Sequence, residues 1–268
     1  MKTIKTLSAK KIISFCIAMA LIFGSLFTAN VGANLKVSAS TGVSEFTAEE
    51  NELSLLNPTQ PNSQSNPYII ANANQMYCLM IGNSTNGGVK IDTAGKYFKV
   101  ADGIKAFYMN GGATVAAFTT PAQVKEYFTV TNTSAKKVWS ASSKAFKGTF
   151  DGNGVTIYGI RSDDTNAGLF PFVDGDATIK NVTVKNSYLV GATAAGLVAS
   201  VNGSAAPNSI TAENCQVINN YISASRGDCG AGGLFGFLYS ANATDGYPEV
   251  HVNNCIVAGN ELISVNTA

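Results

Sequence analysis

Arg161-Ser162-Asp163-Asp164 sets one guanidinium beside two carboxylates within four residues. Glycan-cleaving enzymes use such sets: paired acids act as acid and base, or acids hold calcium while an arginine serves as base. The same residues suit a polar loop, because Asp caps turns well. Arginine recurs only at Arg226, and the single histidine, His251, lies between two valines on the polar side of a strand. Asp174-Gly175-Asp176 is a second acidic pair, without the further ligands of a calcium loop. No G-x-S-x-G and no H-E-x-x-H is present, so neither a nucleophile elbow nor that zinc site is expected. The chain is read as needing no cofactor and no metal.

Two other groups could bind without catalysing. Tyr188 and Tyr221 fall at matching places in a repeat, and a stacked tyrosine pair can seat a sugar ring; plain packing is the alternative. Arg226-Gly227-Asp228 matches an integrin-type adhesion tripeptide, a short motif that is common by chance. It lies beside Cys229 in one of the three longest loops, 202–209, 223–231 and 240–249. Loops of a repeat protein gather on particular faces and often bind.

The repeat must position all of these. Asn181, Asn214 and Asn254 each open the same phrase, 33 and 40 residues apart. One residue later stand Val182, Cys215 and Cys255; three later, Val184, Val217 and Val257; eight later, Leu189, Ile222 and Leu262. Gly154, with Val155 and Ile157, joins the same columns. A second phrase interleaves: Ala167-Gly168-Leu169, Ala195-Gly196-Leu197, Gly232-Gly233-Leu234. Apolar residues two apart share one face of a strand, and a repeat of 20 to 50 residues marks stacked units. Each unit cannot bury its own apolar face, so its neighbour must. The phrase is therefore a building unit, its Asn bending the chain and its amide free to bond along the stack. Cys215 and Cys255 then share an inward column, read as buried thiols rather than a disulfide.

Upstream, Pro67 to Ile70 reads as a strand. Met76, Leu79 and Met80 mark a helix with Asn72 or Asn74 as cap. Residues 96–109 alternate as one or two strands, and Thr120-Pro121 starts a second helix ending near Phe128. Trp139, the only tryptophan, reads as core or cap.

The first eleven residues carry four lysines and no acid, an apolar run follows to Phe27, and small residues close it. That is the pattern of a secretory signal peptide cleaved after Ala33 or Ala39. The run is short for a spanning helix, which needs about 20 residues. Five of the 18 basic residues lie within 1–39, which leaves 13 basic against 17 acidic, a net of −4. A basic patch is what nucleic acid and anionic membranes require, so neither is an expected partner, and no membrane insertion is expected after cleavage. Residues 40–66, ending NPTQPNSQSN, read as a disordered linker.

The phrases FKGTFDGNGVTI, AGLF and IKNVTVKN resemble those of bacterial secreted and cell-surface proteins with GLUG-type repeats. NPYIIANANQMYCL and KYFKVADGI resemble the cap region of that group. The likeness covers roughly Pro67 to Ile263. It departs at Leu169-Phe170-Pro171-Phe172 and Leu197-Val198-Ala199, where the group favours glycine. The resemblance implies an all-β fold: a right-handed parallel β-helix solenoid (146–268) preceded by a small mixed α/β cap region (67–145). It also implies a non-enzymatic surface protein displaying loops for adhesion, with a polysaccharide or another surface protein as partner. A β-helix polysaccharide lyase or glycoside hydrolase using Arg161, Asp163 and Asp164 is the alternative, and a structural spacer is a third. The last repeat phrase is followed by no terminal cap, so a bare rung with open strand edges is expected.

Overall fold

The computed structural model describes residues 62–81, 92–135, 137–138, 145–203, 209–226, 230–240 and 248–265. The predicted signal peptide, most of the predicted linker, Trp139 and residues 227–229 lie outside them. Order reaches back beyond Pro67. Asn62 brackets Tyr97, donating to its carbonyl at 2.9 Å and accepting its N–H at 2.7 Å, as a neighbouring strand would.

The first elements are β1 (Tyr68–Ile70), α1 (Ala73–Ile81), β2 (Tyr97–Val100) and β3 (Ala106–Tyr108). Asn72 starts α1 by accepting the Gln75 N–H at 2.8 Å, while the Gln75 side chain accepts from Ala71 at 2.6 Å. Such reciprocal capping satisfies two amides that the first turn would leave orphaned. Met76, Tyr77, Cys78, Leu79, Met80 and Ile81 of α1 are all buried. A helix apolar around most of its circumference belongs in a core.

Two short helices follow, α2 (Gly112–Ala116) and α3 (Pro121–Glu126). Thr120 and Gln123 form a capping box with Pro121 in the first turn, as the sequence predicts. Beyond Glu126 the helix widens into one π turn, Tyr127–Thr131. The Thr129 hydroxyl donates to the Lys125 carbonyl at 2.7 Å, and the Asn132 N–H reaches back five residues to Tyr127 at 2.7 Å. A threonine bonding four residues back competes with the backbone ladder, and here the turn opens around it. α2 was not legible in the sequence. It follows Gly111, which has φ 74°, and five residues are too few to show a helical period.

From Thr149 the chain runs in successive passes. The first holds β4 (Thr149–Tyr158), β5 (Arg161–Ser162), β6 (Asn166–Ala167) and β7 (Phe170–Asp174). The second holds β8 (Ala177–Lys185), β9 (Tyr188–Gly191), β10 (Thr193–Ala195) and β11 (Val198–Gly203). The third holds β12 (Ser209–Glu213), β13 (Gln216–Ile218), β14 (Tyr221–Ala224), β15 (Ala231–Gly232) and β16 (Phe235–Ser240). The last described strands are β17 (Glu249–Asn253), β18 (Ile256–Ala258) and β19 (Glu261–Ser264). Each strand pairs in parallel with its counterpart in the next pass, giving sheets ordered β4-β8-β12-β17, β5-β9-β14-β19, β6-β10-β15 and β7-β11-β16. β2 and β3 extend the first sheet by pairing with β4. The chain is strand-rich and its sheets are parallel.

Register turns the repeat columns into physical columns. Phe150, Ile179 and Ala212 align, as do Ile157, Val184 and Val217, and all six are fully buried. Burying a Val, Leu or Ile side chain is worth roughly 1.5–3 kcal/mol, so stacking supplies the driving force that one pass lacks. The first pass departs from the others. Asp151 pairs with Lys180 and Val155 with Val182, so Gly152-Asn153-Gly154 stands opposite the single Asn181. The added residues need glycine: a Cβ on Gly152 would lie 2.5 Å from the Asn181 carbonyl oxygen.

Candidate functional site

Asn153, Asn181, Asn214 and Asn254 have φ of 52°, 56°, 52° and 50°. Asparagine tolerates this left-handed region better than other side-chain-bearing residues, so each can turn the chain between two short strands. The turn also lines up the last three amides. Asn254 Nδ2 donates to Asn214 Oδ1 at 2.7 Å, Asn214 Nδ2 to Asn181 Oδ1 at 3.1 Å, and Asn181 Nδ2 to Asp151 Oδ1 at 2.9 Å. A carboxylate only accepts, so Asp151 fixes the direction of the whole ladder.

A shallow groove of about 340 Å³ runs beside this ladder, lined by Asn153, Gly154, Asn181, Thr183, Asn214 and Gln216, with Val182 at its floor. No lining residue is charged. An amide carries two N–H donors and an oxygen with two lone pairs. After the ladder bonds, Asn181 retains one donor and one acceptor, and Thr183 and Gln216 add more. Such a surface can match the mixed donors and acceptors of hydroxyl groups, and none of its lining residues is an acid or a base.

The predicted reactive set is engaged elsewhere. Arg161 is 8% exposed. Its Nη1 donates to the carbonyls of Asn132 at 3.3 Å, Ala135 at 3.4 Å and Thr133, the chain leaving the π turn. Only its Nε lacks an acceptor among the described residues. Asp163 sits 3.6 Å from Arg161 Nη2 and 2.7 Å from Lys137 Nζ. Asp164 accepts the Thr165 N–H at 2.7 Å and so shapes its own turn. Asp174 pairs with Lys147 at 3.0 Å, and Asp176 accepts the Ser209 N–H at 2.9 Å. Each acid is tied to a different partner, and no group of three or more His, Cys, Asp or Glu able to hold a metal ion occurs among the described residues.

Tyr188 and Tyr221 do stack, with ring centroids 5.4 Å apart and planes 7° apart. They lie under the helical segment: Phe128 packs 6.1 Å from Tyr188, and Lys125 Nζ lies 4.9 Å from the Tyr221 centroid. Tyr221 is 6% exposed and Tyr188 is half-buried beside Phe128, so the stack is engaged in packing. Burial, with the Tyr221 phenol second, pushes the Tyr188 phenol up from its ordinary value. Arg226 is exposed and its guanidinium lies 5.9 Å from the Phe237 ring; Asp228 and Cys229 fall outside the described residues. His251 is exposed on its strand, 3.5 Å from Glu249. Cys215 and Cys255 are thiols, and burial pushes the Cys215 thiol up to about 12.

Two further amide rows follow the same repeat columns. Asn186 and Asn219, at φ 53° and 58°, share a hydrogen bond of 2.7 Å. Asn186 also donates to Val115 and Phe118 at 2.7 and 3.1 Å, fastening the helices to the strands. Asn220 Oδ1 accepts the Ser187 N–H, and Asn260 Oδ1 the Asn220 N–H, each at 2.8 Å. Their signal lies five places after the aligned Asn, at Asn186 and Asn219 with Gly259 in the last repeat, and six places after it, at Ser187, Asn220 and Asn260.

No protein-family model, curated protein or solved structure matches the chain.

Proposed function

We propose that this chain is an exported, non-enzymatic right-handed parallel β-helix of the GLUG-repeat kind that binds a neutral polysaccharide along its amide-lined groove. The observation that carries the reading is the uncharged groove beside the Asn ladder, taken with acids and an arginine that are held by structural partners elsewhere. Successive passes that pair in parallel in the same sheet order support the β-helix. Right-handedness follows from the strong preference of parallel crossovers for that hand. Export rests on the basic, apolar and small-residue pattern of 1–39. No described helix is long and apolar enough to cross a membrane.

A glycan array followed by titration calorimetry on the purified protein tests the binding. Thr183→Ala and Gln216→Ala remove outward side chains that do not belong to the ladder. Each is expected to weaken the best neutral glycan by about 2- to 10-fold, the worth of one hydrogen bond, with the melting temperature unchanged. Binding indifferent to both substitutions overturns the groove. New reducing or unsaturated ends on the polysaccharide overturn the non-enzymatic reading in favour of a lyase or hydrolase.

A further inference from the structure

The amide-lined groove crosses the passes instead of following one strand. The first pass contributes Asn153 and Gly154, the second Asn181 and Thr183, the third Asn214 and Gln216. Thr156, Thr183 and Gln216 pair in register as one outward column, and all three are half-buried. Along β8 the same outer face carries Lys180 and Lys185 on either side of Thr183. A neutral chain laid along that strand would meet both charges. Laid across the passes, it meets an uncharged lining throughout.

Parallel register sets the spacing of that lining. Neighbouring strands lie about 4.8 Å apart, so an amide or hydroxyl comes round once per pass. A ligand that stays in step must be straight and repeat at a similar interval. A β-1,4-linked pyranose chain is an extended ribbon that advances by close to one strand spacing per sugar. An α-1,4-linked chain coils and falls out of step. Successive sugars of the ribbon turn opposite edges to one side, so each pass meets different hydroxyls. An amide has both donors and an acceptor, so Asn181, Asn214 and Gln216 can serve either edge. The column also sets a length. Ala106 stands before Thr156, and Ile256 stands after Gln216. Neither side chain can hydrogen-bond, so the hydrogen-bonding stretch of the column is Thr156, Thr183 and Gln216.

Given that the groove binds a neutral polysaccharide, we propose that its ligand is an extended β-1,4-linked glycan laid across the passes, one sugar per pass, with three sugars in contact. The probes are cello-, manno- and xylo-oligosaccharides of increasing length, from the disaccharide to the hexasaccharide, titrated by calorimetry into the purified protein. Malto-oligosaccharides of equal length are the coiled control. Affinity for the best β-1,4 series is expected to rise about 2- to 10-fold from disaccharide to trisaccharide, the worth of one hydrogen bond, and then by no more than about twofold per further sugar. The malto series is expected to bind at least about tenfold more weakly, having lost more than one such bond. Thr183→Ala, in the middle pass, is expected to weaken disaccharide and trisaccharide alike. Gln216→Ala, in an outer pass, is expected to weaken the trisaccharide and to leave the disaccharide within about twofold, less than one hydrogen bond, since two sugars still span the first two passes. An α-linked ligand that needs Thr183 and Gln216 overturns this assignment and leaves the groove standing. So does an affinity that gains nothing beyond two sugars, or that climbs steadily to six. Failure of every neutral glycan to bind overturns the groove itself, and this assignment with it.

Discussion

Asn214 performs two tasks that no other residue type performs together. Its φ of 52° asks for Gly or Asn, and its amide bonds Asn181 on one side and Asn254 on the other. The two tasks can be separated. Asn214→Gly keeps the turn and removes the amide, whereas Asn214→Ala removes the amide and strains the turn. Losing hydrogen bonds at such a site costs about 1–3 kcal/mol, and a left-handed alanine adds roughly 1–2 kcal/mol. Equilibrium urea unfolding is expected to rank wild type above Asn214→Gly and Asn214→Gly above Asn214→Ala. Equal losses would mean that the backbone conformation is not what asparagine provides here.

Among the elements, α3 and its π turn decide what the stacked tyrosines are for. The helix is held by its capping box at one end and by Arg161 on the departing carbonyls at the other. Between these points Phe128, fully buried, presses on Tyr188. Phe128→Ala is expected to cost about 3–5 kcal/mol as a large-to-small core change and to loosen the cap. The Tyr188 phenol reports this independently. Its folded value is raised, chiefly by burial, so its contribution to stability is full below the ordinary phenol value of about 10 and is lost as pH climbs through the raised one. With burial relieved, its titration midpoint, followed by NMR of the ring, is expected to fall back toward the ordinary value. A midpoint that stays put would show that Phe128 does not shield it.

Over the whole molecule, each pass is sealed by its neighbours, so stability should vary along the stack as in any nearest-neighbour array. The second pass is covered on both sides: Val182 and Val184 are at most 1% exposed. Among the described residues the last strands are covered on one side only. Hydrogen exchange read by mass spectrometry is expected to exchange amides of 249–264 first and those of 177–190 last. Uniform protection would mean that the last strands are covered in solution by parts of the chain beyond those described.

Much of the architecture was legible because one strand-period pattern recurs: Val182, Cys215 and Cys255 fall in a column by counting alone, as do the Asn turns before them. Local residue types also pointed to the caps, Thr120 outright and Asn72 or Asn74, between which the structure chooses Asn72. Counting could not tell that Arg161 faces the carbonyls of 132–135, or that Lys125 covers Tyr221, because those contacts join segments far apart in sequence. An acid beside an arginine looks the same in a string whether it awaits a substrate or clamps a helix. The sequence alone determined the repeat, its inward columns and the residues that turn each pass. Only the tertiary structure decided which polar groups are spent on holding the fold and which remain outward, because that depends on what chain folds over them.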